Sequence, residues 1–551
     1  MIIEKIHIKN FKCFRGDFIL SLNQGINILV GNNEAGKSTI LEAINLALTG
    51  LFQGKSVKHD LSQYMFNNSV LEEYISSLST NEKQRPPEIL IEIYFQKEAY
   101  PQFMGNGNSK QENACGISLR IGFNEDFNAE YENLIVQGLD TLPLEYYEVK
   151  WLSFARNYII PRNIPLRCSF IDSSNSKTKN NSDIFLSRII KNVLEENDII
   201  AITQAFRQLQ ENFKGHETIS SINDKMTACC DLSKKNVQIG VDLSSRSAWE
   251  DYITTYLDSV PFSYVGKGEQ VMIKTLLALT KEVSSDKENI ILIEEPENHL
   301  SYSNLNDLLL SINTHCGNKQ VIITTHSSYV ANKLGLSHLI LLANHKCLSL
   351  EELTEETVRY FRKLPGFDTL RMVLCKSSIL VEGASDELIV QKAYMKLHNN
   401  RLPIQDGIDV ISVNNLSFLR FLEIAHLLEL KSVVVTDNDG NIDALKKKYA
   451  NYISSSSIRI VYEENIDRRT EINGESFNFN TLEPIVLKSN SLQILNKIFK
   501  KSYKREEELL LFMKKNKVEC ALKIFDYDDS DFTFPDYINK AVKIYDEKES
   551  K

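Results

Sequence analysis

A glycine-rich turn between an apolar strand and a helix places the strongest constraint on this chain. The turn runs from Gly31 to Ser38, follows the apolar run Ile26 to Val30 and satisfies the pattern G-x-x-x-x-G-K-[ST]. In such a turn, backbone N–H groups surround phosphates and the following helix N-terminus adds positive potential. A tight turn that binds nothing is the alternative, and the complete pattern in a strand–helix context argues against it. The residues predicted to bind ATP are Asn32, Asn33, Gly36, Lys37, Ser38 and Thr39, with Lys37 on the β- and γ-phosphates and Ser38 on Mg²⁺.

Two later strands end in residues that suit the same chemistry. The apolar run Ile290 to Ile293 ends at Glu294 and Glu295. In a phosphate-loop ATPase the first acid holds Mg²⁺ and the second orients the attacking water, although the first is more commonly Asp. The run "QVIITT" ends at His326, which we expect to position or sense the γ-phosphate. A structural histidine is the alternative there.

Composition excludes several classes of protein. The chain has 551 residues, a net charge of −10, 42% hydrophobic residues and nine cysteines without a C-x-x-C pair. It therefore lacks the basic balance of a nucleic-acid coat protein, and DNA contacts would come from local patches. The cysteines predict reduced thiols rather than disulfides or a zinc site. No signal peptide and no apolar run of about 18 residues is present, so we expect a cytoplasmic protein that does not enter the membrane.

The C-terminal part alternates strands with helices, which predicts a parallel α/β sheet with its ligands at the carboxyl ends of the strands. One strand, in "SSILVEG", ends at Glu382, and another, in "SVVVTDNDG", ends at Asp437 and Asp439. Carboxylates gathered at one sheet edge repel each other unless a divalent cation neutralises them, and hard oxygen ligands suit Mg²⁺ or Mn²⁺. Side chains two apart in an extended segment share a face, so Asp437 and Asp439 are predicted to approach one metal from one turn. A solvated turn is the alternative for an isolated D-x-D.

The predicted organisation is α/β with four parts. Residues 1–155 form the first part of an ATPase domain, 156–240 a helical insert that could dimerise, 241–355 the second ATPase part, and 356–551 a domain with a parallel sheet and C-terminal helical elements. Within the insert, 172–183 is a polar loop, and Ile189, Ile190, Val193 and Leu194 recur at helical spacing. The alternative is that the insert packs on the rest of the ATPase domain and has no partner-binding role.

The motifs of the N-terminal part resemble those of ATPase heads of the RecF and SMC type, in the ABC class. The resemblance rests on "IKNFKCF", the Gly31–Ser38 loop, "LIEEPENHL" and "TTHSSYV". It implies that two heads sandwich ATP and that each supplies a signature loop to the other. That loop would be Gly266–Gln270, ahead of a helix starting near Val271, although the usual serine is missing. Lys267 would then contact ATP in trans.

The C-terminal motifs "VEG" and "DND" resemble those of the Toprim domain, and the combination with an ABC-type ATPase resembles the OLD (overcoming lysogenisation defect) family of nucleases. The resemblance implies a catalytic or metal-binding role for Glu382, Asp437 and Asp439. It also implies a metal-binding role for Asp386, with Glu387 as a competing choice. A further metal-binding acid would be Glu483 in "NFNTLEPIVLKS", and a catalytic lysine would be Lys517, with Lys514 and Lys515 close by.

The function that this resemblance implies is an ATP-regulated, divalent-metal-dependent DNA endonuclease in defence against phage. Its cofactors would be ATP and Mg²⁺, with Mn²⁺ possible at the Toprim site. It would act on DNA as a homodimer or larger homo-oligomer, with a helicase or a reverse transcriptase and its non-coding DNA as an operon-encoded partner. The alternatives are a Toprim topoisomerase or primase, and a non-catalytic ATP-dependent DNA-repair clamp.

Overall fold

The fold was obtained as a computed structural model. It describes residues 2–80, 84–96, 100–137, 139–172, 196–229, 239, 256–280, 288–317, 319–363, 367–413, 418–528 and 531–546. Within these ranges, no helix is long and apolar enough to cross a membrane.

The described part of the chain contains strands and helices throughout. The strands are β1 Ile3–Lys9, β2 Asp17–Ser21, β3 Ile26–Gly31, β4 Leu51–Phe52, β5 Lys55–Ser56, β6 Ile89–Phe95, β7 Met104–Gly105, β8 Ala114–Phe123, β9 Tyr147–Ser153, β10 Leu166–Asp172, β11 Tyr256–Leu257, β12 Val260–Pro261, β13 Glu288–Glu294, β14 Gln320–Thr325, β15 Leu339–Ala343, β16 Lys346–Ser349, β17 Ser377–Val381, β18 Ile408–Ser412, β19 Lys431–Val435, β20 Ile458–Val461, β21 Glu471–Ile472 and β22 Glu475–Ser476. The helices are α1 Lys37–Thr49, α2 Asn68–Leu78, α3 Asn128–Gln137, α4 Glu196–Lys214, α5 Glu217–Cys229, α6 Lys267–Thr280, α7 Tyr302–His315, α8 Ser328–Leu334, α9 Glu355–Lys363, α10 Phe367–Leu374, α11 Ala384–Leu397, α12 Phe418–Leu427, α13 Ile442–Lys448, α14 Ala450–Ile453, α15 Leu482–Ser489, α16 Leu492–Phe499, α17 Glu506–Lys515, α18 Lys517–Phe525 and α19 Asp536–Lys543.

A six-stranded sheet carries the glycine-rich turn, with the strand order β10-β13-β14-β3-β15-β16. All pairs are parallel except β15 with β16. Every residue of β3 and of β14 is buried, which explains their continuous apolar character, because helices cover both faces of a parallel sheet. The carboxyl ends of β3, β13 and β14 are neighbours, so the turn, Glu294 and His326 meet at one edge.

An antiparallel sheet packs beside the first one and includes the apolar run Ile89 to Phe95. Its strands run in the order β2-β1-β6-β8-β7, and β9 pairs with β8. Helix α1 lies against this sheet because its buried residues Ile40, Ile44 and Leu48 share one apolar cluster with Ile6 and Ile91. The helix that follows the glycine-rich turn is therefore held from both sides.

A buried polar network crosses the antiparallel sheet between β1 and β6. His7 Nδ1 lies 3.1 Å from Glu92 Oε2, and His7 Nε2 lies 2.8 Å from Asp17 Oδ1. The backbone N–H of Ser109 donates to Glu92 Oε1 at 2.7 Å, and the Tyr94 hydroxyl donates to Oε2 at 3.0 Å. Burial alone would lower the pKa of His7, but its bonds to Glu92 and Asp17 outweigh burial and raise it. Burial would likewise raise the pKa of Glu92, and its hydrogen bonds outweigh burial and lower it.

We expect Glu92→Gln to lower the free energy of unfolding by about 3 kcal/mol, because it removes the buried anionic partner of His7 and leaves only the exposed Asp17. Because the pKa of His7 is raised by folding, protonated His7 stabilises the fold below about pH 6.5. This stabilisation is lost as pH rises through the folded-state pKa. Because the pKa of Glu92 is lowered by folding, ionised Glu92 stabilises the fold above about pH 4.5. This stabilisation is lost as pH falls through the folded-state pKa. Urea unfolding between about pH 4 and 8 should therefore show a maximum near pH 5 to 6 that flattens in the variant. Glu4→Gln, an exposed change on the strand that bears His7, is the control, and an equal loss there would contradict the assignment.

The C-terminal sheet has four parallel strands in the order β18-β17-β19-β20. This confirms the predicted alternation of strands and helices. One face of it joins the core of the ATPase sheet: Leu380 and Val434 belong to the same apolar cluster as Ile28 and Leu341. The other face packs on α11 and the C-terminal helices, with Ile379, Val390 and Ile538 in one cluster. The two sheets thus share a continuous core.

Two predictions about helices have different outcomes. Two helices, α4 and α5, occur in the 156–240 segment, but Ile189, Ile190, Val193 and Leu194 lie outside the described residues. The helix expected to start near Val271 begins at Lys267 instead. Its first turn forms early because Gln270 N donates to Gly266 O at 3.0 Å and Gln270 Nε2 donates to Phe262 O at 2.8 Å.

Candidate nucleotide site and carboxylate cleft

The glycine-rich turn delivers Lys37 and Ser38 to the carboxyl edge of the ATPase sheet. Gly36 has φ +88°, and a Cβ there would lie 2.6 Å from Phe14 Cζ, so only glycine fits before α1. Lys37 Nζ donates to the carbonyl oxygens of Gly31 and Asn32 at 2.7 and 2.8 Å. Burial lowers the pKa of Lys37, and the nearby acids Glu295, Glu297 and Glu294 partly oppose this.

Thr39 lies behind the turn rather than on its open side. It is buried, and its hydroxyl accepts from Cys13 Sγ at 3.4 Å. Thr39, Gly36 and Glu294 do not line the open cavity, whereas Asn32, Asn33, Lys37, Ser38, Glu295 and His326 do. Lys267 is exposed at the start of α6 and does not line this cavity, so within one chain it has no contact with the turn.

The acids at the end of β13 have different environments. Burial raises the pKa of Glu294 to about 7, although a hydrogen bond with Ser38 works in the opposite direction. A buried carboxylate of this kind beside a serine hydroxyl fits a divalent cation, whose charge would stabilise the ionised form. Glu295 follows with φ +42°, and its backbone N–H donates to Thr324 O at 2.9 Å.

His326 and Glu295 are brought together, and a third residue, Glu297, holds the histidine. His326 Nδ1 lies 3.4 Å from Glu295 Oε1 and 3.6 Å from Glu297 Oε1. Glu297 Oε1 also accepts from the Thr325 hydroxyl at 2.6 Å and from the backbone N–H of His326 at 3.1 Å. The sequence interpretation missed Glu297. Its signal was present, because it stands two residues after Glu295 in the turn that leaves the same strand.

A second cavity, of about 670 Å³, lies at the carboxyl edge of the C-terminal sheet. Separate segments contribute its charged residues: the end of β17, the first turn of α11, the segment after β19, and the first residues of α15 and α18. These residues are Glu382, Asp386, Asp437, Asp439, Glu483 and Lys517, and Lys448 at the end of α13 also lines the cavity. We call this cavity the carboxylate cleft. All of the C-terminal site residues proposed from the sequence line it.

Hydrogen bonds fix the orientation of these groups. Glu382 Oε1 accepts from the Thr436 hydroxyl at 2.6 Å and from the backbone N–H of Asp437 at 2.9 Å. Lys517 Nζ lies 3.0 Å from Glu483 Oε1. Glu387, the competing choice to Asp386, lies 3.8 Å from Arg371 and does not line the cleft.

Asp437 and Asp439 lie in one turn, as the sequence predicted, but the backbone between them is not extended. Strand β19 ends at Val435, and Asp439 has φ +45°, in the left-handed region. Its side chain is exposed and accepts from Asn478 Nδ2 at 2.8 Å. Asp437 and Asp439 therefore reach the cleft by a turn and not by sharing one face of a strand.

The cleft concentrates negative charge in a place shielded from water. Burial, followed by repulsion from Glu382 and Glu483, raises the pKa of Asp386 to about 7. Burial and the surrounding acids also raise the pKa of Asp437 well above its ordinary value. Such a cluster is stable in its ionised form only when cations accompany it.

The carboxylate oxygens of the cleft thus suit a hard divalent metal, because such metals prefer oxygen ligands. Among the residues that the structure describes, no three or more His, Cys, Asp or Glu side chains are already arranged around one point as a metal cage. Asp439 accepts a hydrogen bond from Asn478, and Glu483 forms an ion pair with Lys517. These two carboxylates would therefore have to rotate in order to bind a shared metal.

Two residues of the cleft were not anticipated from the sequence. Thr436 orients Glu382, and Tyr449, whose side chain is fully buried, lines the cleft at the end of α13. The position of Thr436 directly before Asp437 was a usable signal, since the residue that follows a parallel strand lies beside the end of the neighbouring strand. Tyr449 carried no signal, because buried tyrosines mostly serve packing.

Comparison with protein families divides the chain in the same way as the two sites. Residues 5–238 match the AAA domain family and residues 164–331 match the AAA ATPase domain family. Residues 374–439 match the TOPRIM domain of overcoming lysogenization defect protein-like proteins. That last match ends at Asp439 and includes Glu382, Asp386 and Asp437.

Individual proteins are similar to most or to part of the chain. The chain is 21% identical to Endonuclease GajA of Bacillus cereus (strain HuB5-5), over 89% of this chain and 81% of that protein. It is 37% identical to the DNA replication and repair protein RecF of Clostridium botulinum, over 14% of this chain and 21% of that protein. Among solved structures, an Smc head bound to the C-winged helix domain of ScpA covers 64% of this chain and 99% of its own, with 14% identity and a TM-score of 0.33.

The chain is therefore an enzyme of the class that joins an AAA/ABC-type ATPase to a TOPRIM nuclease domain. Within that class its TOPRIM domain is OLD-like, and the resemblance to the OLD family indicated by the motifs is confirmed. Use of a nucleotide and of a divalent metal follows from the two domains.

Proposed function

We propose that this protein is an ATP-regulated, divalent-metal-dependent DNA endonuclease that acts in defence against phage. The carboxylate cleft carries the proposal: acids from separate segments, most of them wholly or partly buried, meet Lys517 in one cavity. Stability alone does not explain such clustering, because each added carboxylate raises the cost of ionising the others. The similarity to a protein named as an endonuclease over 89% of this chain supports the same function.

The residues of the cleft have distinct roles in this proposal. A bound Mg²⁺ or Mn²⁺ would supply charge neutralisation and an activated water for cleavage of a phosphodiester bond. Glu382, held by Thr436 and the Asp437 backbone, would be a fixed metal ligand, with Asp386 and Asp437 beside it. Lys517 would leave Glu483 and stabilise the negative charge that develops on the scissile phosphate. Glu483 and Asp439 would complete the set of ligands.

The ATPase site would control access to the cleft and would not take part in strand cleavage. Lys37 would bind the β- and γ-phosphates, and Ser38 with Glu294 would hold Mg²⁺. Glu295 would orient the attacking water, and His326, held by Glu297, would contact the γ-phosphate. Two chains would pair so that Lys267 of each reaches the other's nucleotide, with the 156–240 segment available for further association. A helicase or reverse transcriptase encoded nearby would be a partner in defence.

The enzyme class is tested by a nicking assay on supercoiled plasmid with the purified full-length chain. We expect nicked and linear products with Mg²⁺ or Mn²⁺, and none after EDTA removes the metal, because the acids alone cannot activate water against their own repulsion. The ATP dependence is measured in the same reactions over a range of ATP concentrations. Cleavage that persists in EDTA, or no cleavage with any metal, would overturn the proposal.

A further inference from the structure

The nucleotide cavity has a second wall that the ATPase motifs do not supply. The cavity has a volume of about 740 Å³, and besides the residues of the glycine-rich turn it is lined by Leu374, Cys375, Lys376, Ile404 and Gly407. All five belong to the segments just before β17 and just before β18 of the TOPRIM sheet. A cavity of this size suits a nucleotide, so a bound nucleotide would touch both domains.

Lys376 is the charged residue of that wall, and its backbone and stem are held in place. Its backbone N–H donates to Gly407 O at 3.0 Å. Its stem lies against Gly407, where a Cβ would come within 3.1 Å of Lys376 Cδ. Gly407 has φ +79°, so the glycine both permits this turn and leaves room for the lysine. In the part of the chain that the structure describes, the Lys376 ammonium group has no ion pair or side-chain hydrogen bond.

The charge balance of the cavity favours a role for this ammonium group. On the ATPase side, Lys37 is surrounded by the acids Glu294, Glu295 and Glu297, which act on it electrostatically. A nucleoside triphosphate would bring several further negative charges into this cavity. One lysine and one divalent ion leave part of this charge uncompensated, and charge-assisted hydrogen bonds from a second lysine would stabilise it.

The position of Lys376 in the chain links the two sites. Directly before it, Met372 and Val373 are buried in the core that both sheets share, and Arg371 makes two hydrogen bonds to Asp409 at 2.9 and 2.8 Å. Directly after it, the five-residue strand β17 runs between β18 and β19 and ends at Glu382. The amino end of this central strand thus faces the nucleotide cavity, and its carboxyl end, about 20 Å away, bears a carboxylate of the cleft.

We propose that Lys376 binds the phosphate groups of the nucleotide and that, through β17, it is the TOPRIM residue that reports nucleotide occupancy to the carboxylate cleft. The binding part of this inference stands on the nucleotide cavity alone, whereas the reporting part rests on the proposed nuclease function. Because coupling between two sites is reciprocal, occupancy of the cleft by DNA and metal changes nucleotide affinity by the same factor.

The binding part is tested by isothermal titration of the full-length chain with Mg²⁺ and the non-hydrolysable analogue AMP-PNP. We expect Lys376→Ala to weaken binding about tenfold and Lys376→Arg to keep most of the affinity, because arginine preserves the charge. Lys543→Ala removes an exposed lysine of α19, and its affinity should equal that of the unmodified chain. Binding by Lys376→Ala within about twofold of the unmodified chain overturns the inference. An equal loss in Lys543→Ala also overturns it, since the effect would then be one of general charge.

The reporting part is tested by plasmid cleavage over a range of ATP concentrations. The ATP concentration at half-maximal effect should shift in Lys376→Ala by the factor found in the titration, and a midpoint that does not move overturns this part. If the unmodified chain binds AMP-PNP but cuts no DNA, the proposed nuclease function fails while the titration still decides the role of Lys376. The two failures are therefore distinguishable.

Discussion

Asp437→Asn and Glu382→Gln should each lower the rate of plasmid cleavage by a factor on the order of a thousand, the loss expected when a charged group that stabilises the transition state is removed. Both substitutions keep the shape of the side chain and remove one negative charge from the cleft. Glu382 is fixed by Thr436 and by the Asp437 backbone, so no neighbouring acid can take its place without breaking those bonds. The measurement is the initial rate of nicking with saturating Mg²⁺ or Mn²⁺.

The two substitutions should also stabilise the fold slightly, which separates them from changes that merely unfold the domain. Burial and the surrounding acids raise the pKa of Asp437, so replacing it with a neutral amide relieves repulsion. ATP hydrolysis should continue in both variants. Glu475→Gln, an exposed change on β22, is the control and should cut at the unmodified rate. If cleavage continues undiminished in both cleft variants, the nuclease site lies elsewhere in the chain.

The sequence predicted the positions of the two sites better than their internal geometry. Glu382 and Asp437 follow apolar strands, and parallel strands bring such ends together whatever the loops between them do. The same rule predicted that Glu294 and His326 would meet the turn at Gly31–Ser38. Glu483 and Lys517 came only from a family resemblance, because they begin helices far along the chain and no periodicity relates them to the sheet.

Contacts between distant segments account for what the sequence could not predict. The left-handed backbone of Asp439 depends on its hydrogen bond partner Asn478 and on the turn that follows β19. The place of Lys376 in the nucleotide cavity depends on how the TOPRIM sheet docks on the ATPase sheet, through a core that includes Leu380 and Leu341. A pattern within one segment carries no information about either arrangement.

The two sites use the same physical device. In each, a parallel sheet ends in acids that burial keeps difficult to ionise, and the pKa is raised to about 7 both for Glu294 and for Asp386. In each site a neighbouring group partly lowers the raised pKa of the acid. This group is the Ser38 hydroxyl beside Glu294 and Lys517 beside Asp386. A divalent ion would neutralise the remaining negative charge of these carboxylates. Both sites are therefore arranged to bind a metal together with a phosphate-bearing ligand.

Lys37→Ala and Glu295→Gln should separate the binding of ATP from its hydrolysis. Lys37 lies within hydrogen-bond reach of Gly31 and Asn32 in the turn, so its loss removes the charge that the β- and γ-phosphates need, and we expect nucleotide binding to fall at least a hundredfold. Glu295 contacts His326, so Glu295→Gln should bind ATP normally while hydrolysis falls about a hundredfold. Binding is measured with a fluorescent ATP analogue and hydrolysis by phosphate release.

The response of DNA cleavage to ATP in these two variants then identifies which step controls the cleft. If nucleotide occupancy is the signal, cleavage by Glu295→Gln responds to ATP as in the unmodified chain, whereas cleavage by Lys37→Ala is insensitive to ATP. This is the expected result, because the TOPRIM wall at Lys376 and Gly407 faces the bound nucleotide itself. Glu130→Gln, an exposed change on α3 away from the nucleotide cavity, is the control for a lost charge. Loss of the ATP response in Glu295→Gln would show instead that turnover, and not occupancy, is transmitted along β17 to Glu382.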